Sequence, residues 1–201
     1  MDADEEARSA VKFAARLWTA IVIGGTLRQV THAPGVFDQA WLHELALPIG
    51  AQRSPGQALA VSGGFERVTG SSASQRQARA RENIDARGNG WCSLASVQLG
   101  RAARCQVTCR AYESARGDEN PGPHAGQWPG VIVQMRGAST WELRDGQWPS
   151  SRSITTAVGD VLLMPSGVHH DVSTPGYSVH LAFMFLADGG HPGPDRSPAA
   201  P

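Results

Sequence analysis

The feature that most constrains the fold is a series of short apolar segments between residues 105 and 186, each closed by a turn signal. Residues 105–112 alternate in character and read as a strand. Residues 131–135 form a short apolar run, and residues 140–143 precede the turn dipeptide Asp145-Gly146. Segments 154–158, 161–164 and 177–186 follow, separated by Gly159-Asp160, by Pro165 to Gly167, and by Thr174-Pro175-Gly176. Strands recurring at roughly 8–12-residue spacing indicate a sandwich or a barrel.

Composition agrees. The 201 residues suit one domain with loose ends. With 23 glycines and 13 prolines the chain favours turn-rich β structure over a helix bundle, whose interiors tolerate these residues poorly. Eighteen basic residues balance eighteen acidic ones, which argues against non-specific nucleic-acid binding. The acidic start lacks the positive charge and apolar run of a signal peptide. The apolar run at 181–187 is too short for a membrane helix. The expectation is a soluble, cytoplasmic protein with no membrane partner. Cys92, Cys105 and Cys109 are odd in number and read as free thiols rather than a disulfide framework.

Upstream, Val11, Phe13, Ala14, Leu17 and Trp18 recur at helical spacing, so residues 1–23 read as a helix ended by Gly24-Gly25. Residues 37–45 read as a second helix. Residues 70–74 read as loop. Residues 75–86, with Arg76, Arg79 and Arg81, read as a polar surface helix. From Trp91 the pattern reads as strands and turns. The expected division is a helical and loop cap over 1–87, a barrel over 88–187, and a disordered tail over 188–201.

Two stretches carry chemistry. Gly159 to His170 delivers a strand into a Pro-x-Gly turn that presents His170 at the start of the next strand. Upstream stand Gly122-Pro123-His124, then Gln134 ten residues after His124, Gly137 thirteen after and Trp141 seventeen after. Together these resemble the JmjC-like cupins of the bacterial ribosomal-oxygenase type, over about residues 88–187. The resemblance implies a mainly β fold: a double-stranded β-helix (jelly-roll cupin), here with an N-terminal helical cap. It also implies an Fe(II)/2-oxoglutarate enzyme whose iron is held by a His-x-Asp motif and a distal histidine. By position, His124 and His170 carry over as metal ligands.

The aspartate does not carry over: Gly126 stands in its place. A two-His-one-carboxylate triad leaves iron positions open for cosubstrate and oxygen, and glycine opens a further one. Iron/2-oxoglutarate halogenases resemble this chain in their His-x-Gly or His-x-Ala motif, with chloride in the vacancy. The resemblance implies C–H functionalisation of an amino-acid side chain in a peptide, or of a small natural product. The family's basic anchor for 2-oxoglutarate also fails to carry over, because Ser139 stands fifteen residues after His124. A guanidinium from elsewhere would suit the carboxylate. Arg110, Arg136 and Arg104 are candidates, with Tyr112 on the same strand face as Arg110. Gln134 is a further candidate for the lumen.

His180 opens an alternative. His170 and His180 are equidistant from Pro175, so a tight hairpin would set them opposite one another with Cβ atoms about 4.5–5.5 Å apart. His180 is then a candidate third ligand of a three-His site that does not need 2-oxoglutarate. Alternation along the strand puts Ser178, His180 and Ala182 on one face, and Val179, Leu181 and Phe183 on the other. A catalytically inert ligand-binding cupin is the remaining alternative. Trp128 and Trp141 read as packing residues, and His169 points away from the site. The oligomeric state, a homodimer included, stays open.

Overall fold

The computed structural model describes residues 3–45, 65–67, 79–81, 90–114, 123–144 and 151–186. Helix α1 is Ala3–Ile23. Asp4, Glu5 and Glu6 in its first turn complement the positive end of the helix dipole. Ala10, Phe13, Ala14, Leu17 and Ile21 form its buried stripe. The helix closes as Thr26 N donates to the Ile21 carbonyl, with Gly25 at φ +92°. Strand β1 is Thr31–Ala33, and helix α2 is Gln39–Glu44 with Asp38 as its N-cap, accepting from Trp41 N at 2.9 Å. Both expected helices are present.

Strands β2 (Phe65–Arg67) and β3 (Arg79–Arg81) follow. The expected polar helix over 75–86 is therefore corrected at Arg79–Arg81, which pairs antiparallel with Ala111 to Glu113. Backbone pairing with an available strand overrides a local helical preference. The rest of that stretch, the loop at 70–74, the turn at Asp145-Gly146 and the tail after Asp188 lie outside the described residues.

The strands expected directly from Trp91 are also corrected: Gly90–Ala103 is helix α3. Trp91, Cys92, Ala95, Ser96 and Leu99 are buried at helical spacing. Most of these side chains are small and give a weak apolar signal. Trp91 fixes α3 on α1 through Nε1–H donation to Ser9 Oγ at 3.2 Å and an edge contact with Phe13.

Then come β4 (Gln106–Ser114), β5 (His124–Ala125), β6 (Gly130–Arg144), β7 (Arg152–Ala157), β8 (Val161–Met164), β9 (His169–Ser173) and β10 (Ser178–Leu186). All the pairings are antiparallel. One sheet runs β1-β8-β6-β10-β4-β3-β2. The facing sheet runs β5-β9-β6-β7. The protein is thus mainly β, a double-stranded β-helix with N-terminal helices.

The runs 131–135 and 140–143 are one strand, β6, which serves both sheets. Its first half pairs with β8 and β10, and its second half pairs with β7 and β9. The crossing is at Gly137, where φ is +61° and a Cβ would collide with the Tyr177 carbonyl. Only glycine permits that path.

Strand alternation divides the interior in two. Val107, Cys109, Ala111, Val131, Val133, Val161, Leu163, Val179, Leu181 and Phe183 face the helices. Ile132, Leu162, Met164 and Ala182 face the other sheet, meeting Trp141, Leu143, Ile154 and Val168. The second cluster lines the barrel lumen, and the candidate site lies on its strands. None of the three cysteines is in a disulfide, and Cys92 and Cys109 are buried.

Candidate metal and cosubstrate site

His124 and His170 are direct register partners on β5 and β9, with ring centroids 4.3 Å apart. The Pro-x-Gly turn after β8 positions the second of them. Gly167 N donates to the Gly126 carbonyl at 2.9 Å, tying this turn to the residue that follows β5. His170 Nδ1 lies 3.1 Å from the Val168 carbonyl. A carbonyl only accepts, so Nδ1 carries the hydrogen and Nε2 keeps its lone pair. This is how a metal-ligating imidazole is commonly oriented. Burial, then the neighbouring His124, push the His170 pKa down to about 4. The ring is neutral at neutral pH, as a metal ligand must be.

Gly126 is not required by the backbone. Its φ lies outside the left-handed region, and a Cβ there would sit 3.5 Å from the Trp128 carbonyl oxygen and 4.0 Å from Met184 Cε. These are ordinary contacts. A side chain is sterically admissible where the aspartate of a His-x-Asp motif would start.

His180 lies in the lumen but not as the sequence reading placed it. Strands β9 and β10 belong to different sheets, so the hairpin pairing of His170 with His180 does not form. The turn at Pro175 carries the chain across the sandwich instead. His180 pairs with Tyr112 on β4 and with Gln134 on β6. Its ring stacks on Tyr112 at 4.9 Å and 20°, and meets Trp141 edge-on at 5.2 Å. Trp141 in turn lies 5.9 Å from His170. Burial, then His170, push the His180 pKa down to about 3. Among the described residues no group of three or more His, Cys, Asp or Glu side chains is placed to hold a metal ion. The exposed His169 points the opposite way from His170.

The candidate anion anchors separate clearly. Arg136 is corrected: its guanidinium caps α2, with Nη1 donating to the Leu42 carbonyl at 2.7 Å and Nη2 to the His43 carbonyl at 3.2 Å. These are carbonyls that a helix end leaves without intrahelical partners. Burial lowers the Arg136 pKa from its ordinary value. Arg104 is exposed at φ 55° in the turn after α3. Arg110 is buried on β4, on the strand face it shares with Tyr112, and its register partner is Ala182 of the lumen.

Gln134 and Ser139 are corrected as well. Between Val179 and His180 the β6–β10 register slips by one residue. Gln134 Nε2 spans this bulge, donating to the Arg136 carbonyl and to Ser178 Oγ, both at 2.8 Å. Its Oε1 accepts from Thr156 Oγ1 at 3.0 Å, and Thr156 accepts from Trp141 Nε1 at 3.1 Å. Ser139 Oγ closes the set against Ser178 Oγ at 2.7 Å. Gln134 and Ser139 are fully buried. They form a hydrogen-bonded wall rather than ligand contacts. Trp141 acts as the packing residue expected of it.

Two features escaped sequence reading. Asp160 accepts from the backbone N–H groups of Gly35 and Ala157 and lies 2.9 Å from His32 Nε2, tying β1 to the turn before β8. Burial opposes its ionisation, but the two N–H groups and His32 outweigh it and hold its pKa below the ordinary value. Met184 on the lumen face was not singled out, because a lone methionine in an apolar strand gives no local signal.

Neither a family model nor a curated protein matches the chain. Solved structures do. The X-ray structure of Escherichia coli ycfD matches at 13% identity and a TM-score of 0.56, over 85% of this chain and 53% of that one. The E. coli ribosomal oxygenase YcfD in complex with cobalt and 2-oxoglutarate matches at 13% and 0.55, over 85% and 51%. The same protein with cobalt and succinic acid matches at 16% and 0.54, over 85% and 51%. This chain spans about half the length of those proteins. At such identities the likeness is one of fold: the chain has the jelly-roll cupin fold of the JmjC-like ribosomal oxygenase structures.

Proposed function

We propose that this protein is a non-haem Fe(II)/2-oxoglutarate enzyme with halogenase-type coordination. It would act on a C–H bond of an amino acid, a peptide or a small natural product. The single observation that carries the reading is the pairing of His124 with His170 beside a Gly126 that neither φ nor crowding requires. His124 and His170 would hold the iron, and chloride would take the place of the missing carboxylate. Bound iron would supply oxidative activation of the substrate C–H bond, and the vacancy allows a halide rather than hydroxide to be delivered. The donor set fits: two adjacent imidazoles, one oriented by a carbonyl, suit Fe(II).

The chain's own residues do the rest. Arg110 would donate to the far carboxylate of 2-oxoglutarate, in place of the basic residue that Ser139 replaces. Tyr112 and His180 would floor that subsite with their stacked rings. Trp141, held by Thr156, would keep His170 in place and exclude water behind it.

The test is anaerobic reconstitution with Fe(II) and 2-oxoglutarate, read by the metal-to-ligand charge-transfer absorption, with and without chloride. The reading expects the band, a shift on adding chloride, and no chloride response in Gly126→Asp. Metal binding without the band would contradict it.

A further inference from the structure

His180 is held in the lumen by its ring faces and edges, not by its nitrogens. Tyr112 stacks on it at 4.9 Å and 20°, and Trp141 meets it edge-on at 5.2 Å. Among the described residues neither ring nitrogen has a hydrogen-bond partner. The polar groups closest in the fold are committed to one another. Gln134, the register partner on β6, bonds to Ser178, Thr156 and the Arg136 carbonyl, and Thr156 takes the Trp141 indole N–H. Only 8% of the His180 surface is exposed, so bulk solvent does little to serve it. Burial keeps the ring neutral, so one nitrogen carries a hydrogen and the other a lone pair. A buried polar group left unserved is costly and uncommon in a native fold.

The neighbouring lumen position is small. His180 pairs with Tyr112 on β4, and two residues along the same face Ala182 pairs with Arg110. Ala182 is flanked across the sheet by Arg110 and Ile132, and along β10 by His180 and Met184. A methyl group among four longer side chains leaves room above it. Arg110 and His180 stand diagonally over that room, with Cβ atoms on the order of 7 Å apart. A carboxylate has two accepting oxygens, so it can take a guanidinium N–H on one and an imidazole N–H on the other.

We infer that His180 is a ligand-contacting residue of the lumen, its ring N–H donating to one oxygen of a small-molecule carboxylate whose other oxygen meets Arg110 above Ala182. The inference rests on the carboxylate subsite proposed for Arg110 and needs no metal ion. Tyr112 fixes the plane of the imidazole and leaves its edge to the ligand. The stack requires only a flat ring, which phenylalanine also has, whereas the hydrogen bond requires the nitrogen.

The test titrates the full chain, without added metal, with glutarate. This probe carries both carboxylates of 2-oxoglutarate and no keto group for a metal to hold. Calorimetry reads the affinity, and nitrogen NMR of the histidine rings reads the contact. The wild type binds glutarate, and the His180 ring signal, identified by its absence in His180→Phe, moves on addition. His180→Phe keeps a ring against Tyr112 and binds glutarate at least about tenfold more weakly, the loss of a charge-assisted hydrogen bond. Ala182→Leu fills the space and weakens binding at least as much with His180 in place. Circular dichroism establishes that each variant is folded. A His180→Phe protein with wild-type affinity overturns the inference and leaves the Arg110 subsite standing. So does a His180 ring signal that glutarate does not move. If Arg110→Met keeps the wild-type affinity while His180→Phe loses it, the Arg110 assignment falls and the His180 contact stands. A wild type that binds no glutarate overturns both.

Discussion

Ser139 and Ser178 meet across the β6–β10 boundary with their hydroxyl oxygens 2.7 Å apart, both fully buried. Position 139 is where the JmjC-like pattern has its basic anchor, and here it is sealed. Ser139→Lys is therefore expected to destabilise the fold rather than restore an anchor, because burying an ammonium without a partner is costly. Ser139→Ala loses one buried hydrogen bond, worth about 1 kcal/mol. Chemical denaturation of both variants checks the order: Lys far worse than Ala.

On the proposed reading, Arg110 would carry the carboxylate subsite. Arg110→Met is expected to weaken 2-oxoglutarate binding at least about tenfold, the loss of a charge-assisted contact. Fe(II) or Co(II) affinity should be unchanged, since His124 and His170 lie on other strands. Calorimetric titration of metal and cosubstrate separately reads both effects. An unchanged 2-oxoglutarate affinity would count against the subsite.

Asp160 gives the stability a defined dependence on acid. Its carboxyl pKa is lower in the folded chain than its ordinary value of 3.8. The unfolded chain thus binds the proton more readily, and stability rises with pH through that window. The contribution is complete above the ordinary value and is lost as the pH falls through the folded one. Asp160→Asn is expected to flatten the acid limb of the stability profile below about pH 4. Asp160→Ala, which strips partners from two backbone N–H groups and His32, is expected to cost on the order of 3 kcal/mol at neutral pH. Denaturation midpoints measured across pH show both.

Gly137→Ala tests the crossing of β6 between sheets. It combines an unfavourable φ with a collision against the Tyr177 carbonyl. The expected loss is about 3 kcal/mol or more, read as a lowered thermal midpoint.

Much of this was legible in the sequence. The strands β4, β7, β8 and β10, and the helices α1 and α2, announced themselves through periodicity and turn residues. The resemblance to the JmjC-like motifs pointed to His124 and His170, and the fold sets the two side by side. What was hidden depends on partners distant in the chain. Helix α3 was missed because its buried face is largely Ser, Ala and Cys. Strand β3 exists by pairing with β4 and not by its own preference. The misplaced hairpin is the most instructive case. Symmetry about Pro175 predicted that His170 and His180 would be neighbours, but a turn can join strands of two sheets as readily as two strands of one. His180 consequently faces Tyr112. The roles of Arg136, Gln134 and Ser139 could not be read locally, since each is set by its hydrogen-bond partners: the end of α2 for the first, and the network around the β6 bulge for the other two.

The central claim is that His124 and His170 together form a metal site. Its most direct test is the stoichiometry and affinity of Co(II) or Fe(II) binding under anaerobic conditions, in the wild type and in His124→Ala and His170→Ala. The account predicts one ion per chain in the wild type, and at least about a hundredfold weaker binding on loss of either imidazole. Wild-type protein that binds no metal, or that binds it equally well without either histidine, would contradict it.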